Sequence, residues 1–134
     1  MTNPPKRAGT AYERKVADHA QARGLPWERA PLRGQRDQLD IQGSAPAGFL
    51  VGCKGITRGV DMRSRLAAAM DQARAAVANY LRNDQAPGFR ADVVGVQILQ
   101  RSGAPIGQHY AVMTYDDLLS LVQRLTELEG QQGK

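Results

Sequence analysis

Residues 39–54 read Leu-Asp-Ile-Gln-Gly-Ser-Ala-Pro-Ala-Gly-Phe-Leu-Val-Gly-Cys-Lys, and the reading of this stretch decides the fold. Two runs suited to strands, residues 39–42 and 49–54, flank the spacer Gly43-Ser44-Ala45-Pro46-Ala47-Gly48. Gly, Pro and Ser are hairpin-loop residues because they tolerate positive φ, fix φ, or hydrogen-bond locally to the backbone. A hairpin centred on Pro46 sets residue 40 opposite residue 52. Side chains alternate along a strand, so residues 52 and 54 share a face with Asp40. An acid at 52 would give, with Asp40, a pair of carboxylates able to hold a hard cation such as Mg²⁺. The ammonium of Lys54 would stand beside it, placed to orient a water or neutralise developing charge. Position 52 is glycine, however, and glycine supplies no side-chain ligand.

Upstream, Tyr12, Val16 and Ala20 recur at i, i+4 and predict a helix over residues 10–23, closed by Gly24 and Pro26. Residues 1–9, with Pro4, Pro5, Lys6 and Arg7, read as a flexible basic arm. Residues 27–32 read as a short strand, since Pro31 argues against a central one. Arg33-Gly34-Gln35-Arg36-Asp37 follows as a basic turn.

Downstream, a helix is expected from about Ser64. Leu66, Met70, Ala73, Val77 and Leu81 repeat at helical spacing, and the many alanines imply close approach to a sheet. Val93, Val94, Val96, Ile98 and Leu99 make residues 91–99 the strongest strand, suited to burial on both faces. A further strand is expected over residues 109–113. Thr114 then caps a last helix, with Asp117 in capping-box position and a stripe of Leu118, Leu121, Val122, Leu125 and Leu128. Residues 130–134 read as a frayed tail. The expected order is α-β-β-β-α-β-β-α: one α/β domain over residues 10–129, with a central mixed five-stranded sheet flanked by helices.

At 134 residues, 42% hydrophobic and 23% charged, the composition is that of a globular domain. Cys53 stands alone, which excludes an intrachain disulfide and suits a reducing compartment. With only His19 and His109 besides, a structural zinc site is not expected. No apolar run approaches the roughly 18 residues of a membrane span, and the first residues do not resemble a secretory signal. A cytoplasmic protein is therefore expected. Eighteen Lys and Arg against 13 Asp and Glu give +5, with a pI near 9.8, which favours an anionic partner such as nucleic acid.

Asp40-Ile41, followed by Gly52-Cys53-Lys54-Gly55, resembles the PD-(D/E)xK nuclease superfamily. Within it the chain looks most similar to the small Holliday-junction resolvases of archaeal type and their phage relatives. Gly9-Thr10-Ala11-Tyr12-Glu13-Arg14 matches their glutamate-bearing first helix, Arg33-Gly34-Gln35-Arg36 their arginine-containing turn, and Gln72 the glutamine of a later helix. The likeness spans roughly residues 9–122, and its weight lies in the ordered set rather than in any one motif. It implies a restriction-endonuclease-like fold and a homodimer that resolves four-way junctions by metal-dependent paired nicking, leaving 5′-phosphates. It implies Glu13, Asp40, Lys54 and Gln72 as catalytic residues, with Gly52 at the place of the motif glutamate. Asp40 and Glu13 would hold Mg²⁺ or Mn²⁺, with the backbone of Cys53 as a further donor. Lys6, Arg7, Arg14, Arg33, Arg36 and Arg58 would contact the phosphates of branched DNA. No membrane and no small-molecule cofactor are expected.

The departure at Gly52 leaves two readings: a resolvase impaired in cleavage, or a branched-DNA-binding module on the same fold that does not cut. Each residue also has an ordinary role. Asp40 can flank a turn, Lys54 can end a strand, and Glu13, Gln72, Arg33 and Arg36 can be solvated surface groups. Cys53 and Trp27 read as core residues, and His19 and His109 as surface or rim residues.

Overall fold

A computed structural model of the chain describes residues 4–30, 40–56 and 58–132, with side chains from residue 11 to residue 131. The elements are α1 (Pro4–Ala22), β1 (Glu28–Arg29), β2 (Ile41–Gln42), β3 (Phe49–Lys54), α2 (Met62–Leu81), β4 (Val94–Leu99), β5 (Tyr110–Val112) and α3 (Tyr115–Gln132). Single 3₁₀ turns at Ala45–Ala47 and Ile106–Gln108 join β2 to β3 and precede β5.

Helix α1 starts at Pro4 rather than at Thr10, so Lys6 and Arg7 belong to the helix and not to an arm. Prolines are tolerated there because the first N–H groups of a helix have no intrahelical partner to lose. At the other end α3 continues through Gly130 to Gln132, where a frayed tail was expected. Of the strand expected over residues 27–32, Glu28 and Arg29 are the paired positions among the described residues. Residues 31–39, with Arg33 and Arg36, lie outside the described residues.

The hairpin register follows the symmetry about Pro46. Ile41 pairs with Val51, which sets position 40 against position 52. The turn is held by Ser44, whose Oγ donates to the Phe49 carbonyl at 2.8 Å, and Gly48 takes the left-handed conformation at φ 94°. The five strands lie in sequence order. β1, β2 and β3 are antiparallel neighbours, β3 and β4 are parallel, and β5 returns antiparallel to β4. Among the described residues the chain is thus α/β, with a mixed five-stranded sheet and three helices.

A parallel pair needs a crossover, and α2 supplies it. Asp61 caps α2 by accepting the Ser64 N–H at 2.8 Å. Ala69, Ala73 and Ala76 are its buried residues. A Cβ on Gly95 would stand 2.9 Å from the Ala73 carbonyl oxygen, so β4 and α2 meet at a glycine, as the alanine pattern of the helix implied. Tyr12, Val16 and Ala17 of α1 cluster with Ile41 and Val51, and Trp27 and Cys53 pack against them as core residues. His109 is more than a rim residue. It is half-buried, stacks on Tyr12 and shares a 2.8 Å hydrogen bond with the Tyr12 hydroxyl.

Helix α3 keeps its apolar stripe outside. Leu118, Leu119, Val122, Leu125 and Leu128 are all exposed, Leu125 at 60%. None of the described helices is long and apolar enough to cross a membrane.

Candidate active site

The site forms where β2 parts from β3. Beyond the Ile41–Val51 pair, the N–H of Cys53 turns to the Asp40 side chain, whose Oδ2 accepts it at 2.7 Å. The Asp40 carbonyl in turn accepts the Ala30 N–H at 2.8 Å, tying the residue to the end of β1. Asp40 is therefore fixed by backbone on both sides. The N–H and C=O of one strand residue point the same way, so the Cys53 carbonyl faces the same gap.

Glu13 reaches this gap from α1. It is half-buried, and its carboxyl shares a hydrogen bond with the Asp40 side chain. Burial pushes its pKa up to about 7, the nearby Asp40 charge pushes the same way, and Arg29 opposes them. Two carboxylates this close cannot both ionise without a compensating charge. Cys53 lies under the pair, and burial foremost holds its thiol protonated well above the ordinary range. That is the behaviour of a small core residue, not of a nucleophile.

Lys54 ends β3 on the same face as position 52, and it is half-buried. Its carbonyl accepts the Gln100 N–H at 2.9 Å. Gln100 in turn holds the chain on either side: its Oε1 accepts the Ile56 N–H at 3.1 Å, and its carbonyl accepts Arg65 of α2 at 2.6 Å. The strand end carrying the lysine is braced by three bonds.

Gly52 is not an ordinary gap in the strand. It pairs with Gln97 of β4, and a Cβ at position 52 would meet the Gln97 amide, 2.2 Å from Nε2 and 3.0 Å from Oε1. Gln97 therefore lies over the glycine in the space that a side chain at 52 would fill. It is only 1% exposed, and its Oε1 has no hydrogen-bond partner among the described residues. The sequence reading missed Gln97, although a glutamine inside an otherwise apolar central strand was its signal. It also missed Arg29, which the pairing of β1 with β2 brings near Glu13.

Other expected residues are less tightly drawn in. Gln72 is half-buried on α2 and forms no hydrogen bond to either carboxylate among the described residues. Arg14 is exposed on α1 next to Glu13, and Arg58 is exposed in the turn after β3. Lys6 and Arg7 lie in the opening turns of α1, with side chains outside the described residues. Among the described residues no group of three or more His, Cys, Asp or Glu gathers as a metal cluster. The two carboxylates and the Cys53 carbonyl nonetheless suit Mg²⁺, which is held by one or two carboxylates and keeps several waters.

No family model, curated protein or solved structure matches the chain.

Proposed function

We propose that the chain is a structure-selective DNA endonuclease that resolves four-way junctions, acting as a homodimer and cutting weakly because position 52 carries no acid. The observation that supports this most is the pairing of Glu13 with Asp40 beside the lysine-bearing strand end, assembled from α1, the residue before β2, and β3. The succession of elements and the mixed sheet suit a restriction-endonuclease-like fold.

In this reading Asp40 and Glu13, with the Cys53 carbonyl, would hold Mg²⁺ or Mn²⁺. When bound, such a cation lowers the pKa of a water and offsets charge on a phosphate. Lys54 orients the attacking water and neutralises charge on the phosphate oxygens. Water attack forms the new P–O bond, the bond to the 3′ oxygen breaks, and the 5′-phosphate remains on the product strand. Arg14, Arg58 and the basic segments around Arg7 and Arg36 contact the backbone, so that shape rather than base sequence is read. Two symmetric cuts need two sites, and the exposed apolar face of α3 is the surface that a second copy would cover.

A second reading, a branched-DNA-binding module that does not cut, is favoured by the short count of acidic side chains gathered among the described residues. Equal-length junction, flap, duplex and single-strand substrates test both. The nuclease reading expects preferential binding and Mn²⁺-dependent nicking of the junction. Equal affinity for junction and linear duplex would remove both readings.

A further inference from the structure

The parallel pairing of β3 with β4 sets Gln97 directly beside Gly52, while the β2–β3 register sets position 40 on the other side of Gly52. Position 40, the residue before β2, then Gly52 and Gln97 thus follow one another across the sheet, and Gly52 and Gln97, paired in register, point to the same face. The Gln97 amide leans along this row from β4 over the glycine, close enough that a Cβ there would lie 2.9 Å from its Cδ. A buried polar atom without a partner costs free energy, and native interiors rarely retain one without a use. Gln97 is such a case: it is 1% exposed and its Oε1 has no partner among the described residues. The glycine is what makes room for it.

We propose that Gln97 supplies, from the neighbouring strand, the oxygen ligand that residue 52 lacks, completing a divalent-cation site with Asp40 and Glu13. This rests on the metal-dependent reading above. Amide oxygens are ordinary ligands for hard cations. A neutral amide in place of a carboxylate keeps the ligand count and lowers the negative charge, so the cation is held more weakly than by three acids.

Titration of the full chain with Mn²⁺ alone, followed by the paramagnetic resonance of the free ion, tests this together with thermal unfolding. Asp40→Asn removes binding. Gln97→Met, which keeps the side-chain volume but has no oxygen, weakens it on the order of tenfold. Its melting temperature does not fall, because an unsatisfied buried group has been removed. Gln97→Glu at pH 8 binds more tightly than the unmodified chain. If Gln97→Met binds Mn²⁺ as the unmodified chain does while Asp40→Asn does not, Gln97 is no ligand and the nuclease reading stands. If the unmodified chain binds no Mn²⁺ at millimolar concentration, the inference and the metal-dependent reading both fall.

Discussion

The Asp40 carboxylate accepts the N–H of Cys53 at 2.7 Å, replacing a backbone rung where β2 and β3 separate. The same side chain thus holds the strand end and faces Glu13. Its two roles can be separated. Asp40→Asn keeps an oxygen that accepts the Cys53 N–H but removes the charge, whereas Asp40→Ala removes both. We expect the alanine variant to lose about 1.5–3 kcal/mol of stability, as for a hydrogen bond to a charged group. The asparagine variant should lose well under half of that, yet both should lose junction nicking. Urea unfolding alongside a nicking assay checks the pair, and nicking that survives in both variants would place the chemistry elsewhere.

The Glu13 carboxyl has a folded-state pKa of about 7 against an ordinary value of 4.5. The folded chain therefore holds this proton more tightly than the unfolded chain does. The resulting stability is complete below about pH 4.5 and is lost as pH rises through about 7. In metal-free buffer the urea midpoint should fall across this window, and Glu13→Gln should flatten the decline. Saturating Mg²⁺ should also flatten it, because the deprotonated carboxylates are the form that binds. An unchanged slope in Glu13→Gln would show that the carboxyl is not held above its ordinary range.

Gly52 and Gln97 compete for one volume. Restoring an acid by Gly52→Glu puts a Cβ 2.2 Å from the Gln97 Nε2, so the single variant must displace a buried side chain. Overpacking of this kind costs about 1–3 kcal/mol. Gln97→Ala in the same chain opens the space, and the double variant should recover most of that loss. It should also nick junctions faster than the unmodified chain. A double-mutant cycle in urea measures the coupling, and strict additivity would mean that the two residues do not share the space.

Much of this arrangement was legible in the sequence because it depends on local rules. Loop chemistry around Pro46 fixed the hairpin, and with it the Asp40–Gly52 register, while alternation put Lys54 on the same face. Alanine spacing in α2 anticipated the contact at Gly95. What escaped were contacts between segments distant in the chain. Nothing in the pattern of β4 says that Gln97 lies over Gly52, because that follows from parallel pairing through a crossover. The helical reach back to Pro4 was missed because prolines read as breakers, although in a first turn they break nothing. The stripe on α3 was read correctly as amphipathic, but periodicity does not say whether a face is covered by its own chain or by another.

That exposed stripe carries its own expectation. Val122 and Leu125 are 49% and 60% exposed on α3. If a second copy covers them, Leu125→Glu should raise the dimer dissociation constant by about 30-fold or more, as the loss of a central apolar contact does. Circular dichroism should be unchanged. Sedimentation equilibrium reads the result, and an unmodified chain that is monomeric at high micromolar concentration would remove α3 as a self-association face.

The most direct test of the metal-dependent nuclease account is cleavage of a four-way junction, labelled on each strand in turn, with Mn²⁺ present. The account expects slow, symmetric nicks in two opposing strands, 5′-phosphate ends, and loss of both nicks in Asp40→Asn while junction binding persists. An intact junction at every Mn²⁺ concentration, bound equally by the unmodified chain and Asp40→Asn, would contradict it and leave a protein that holds branched DNA without cutting it.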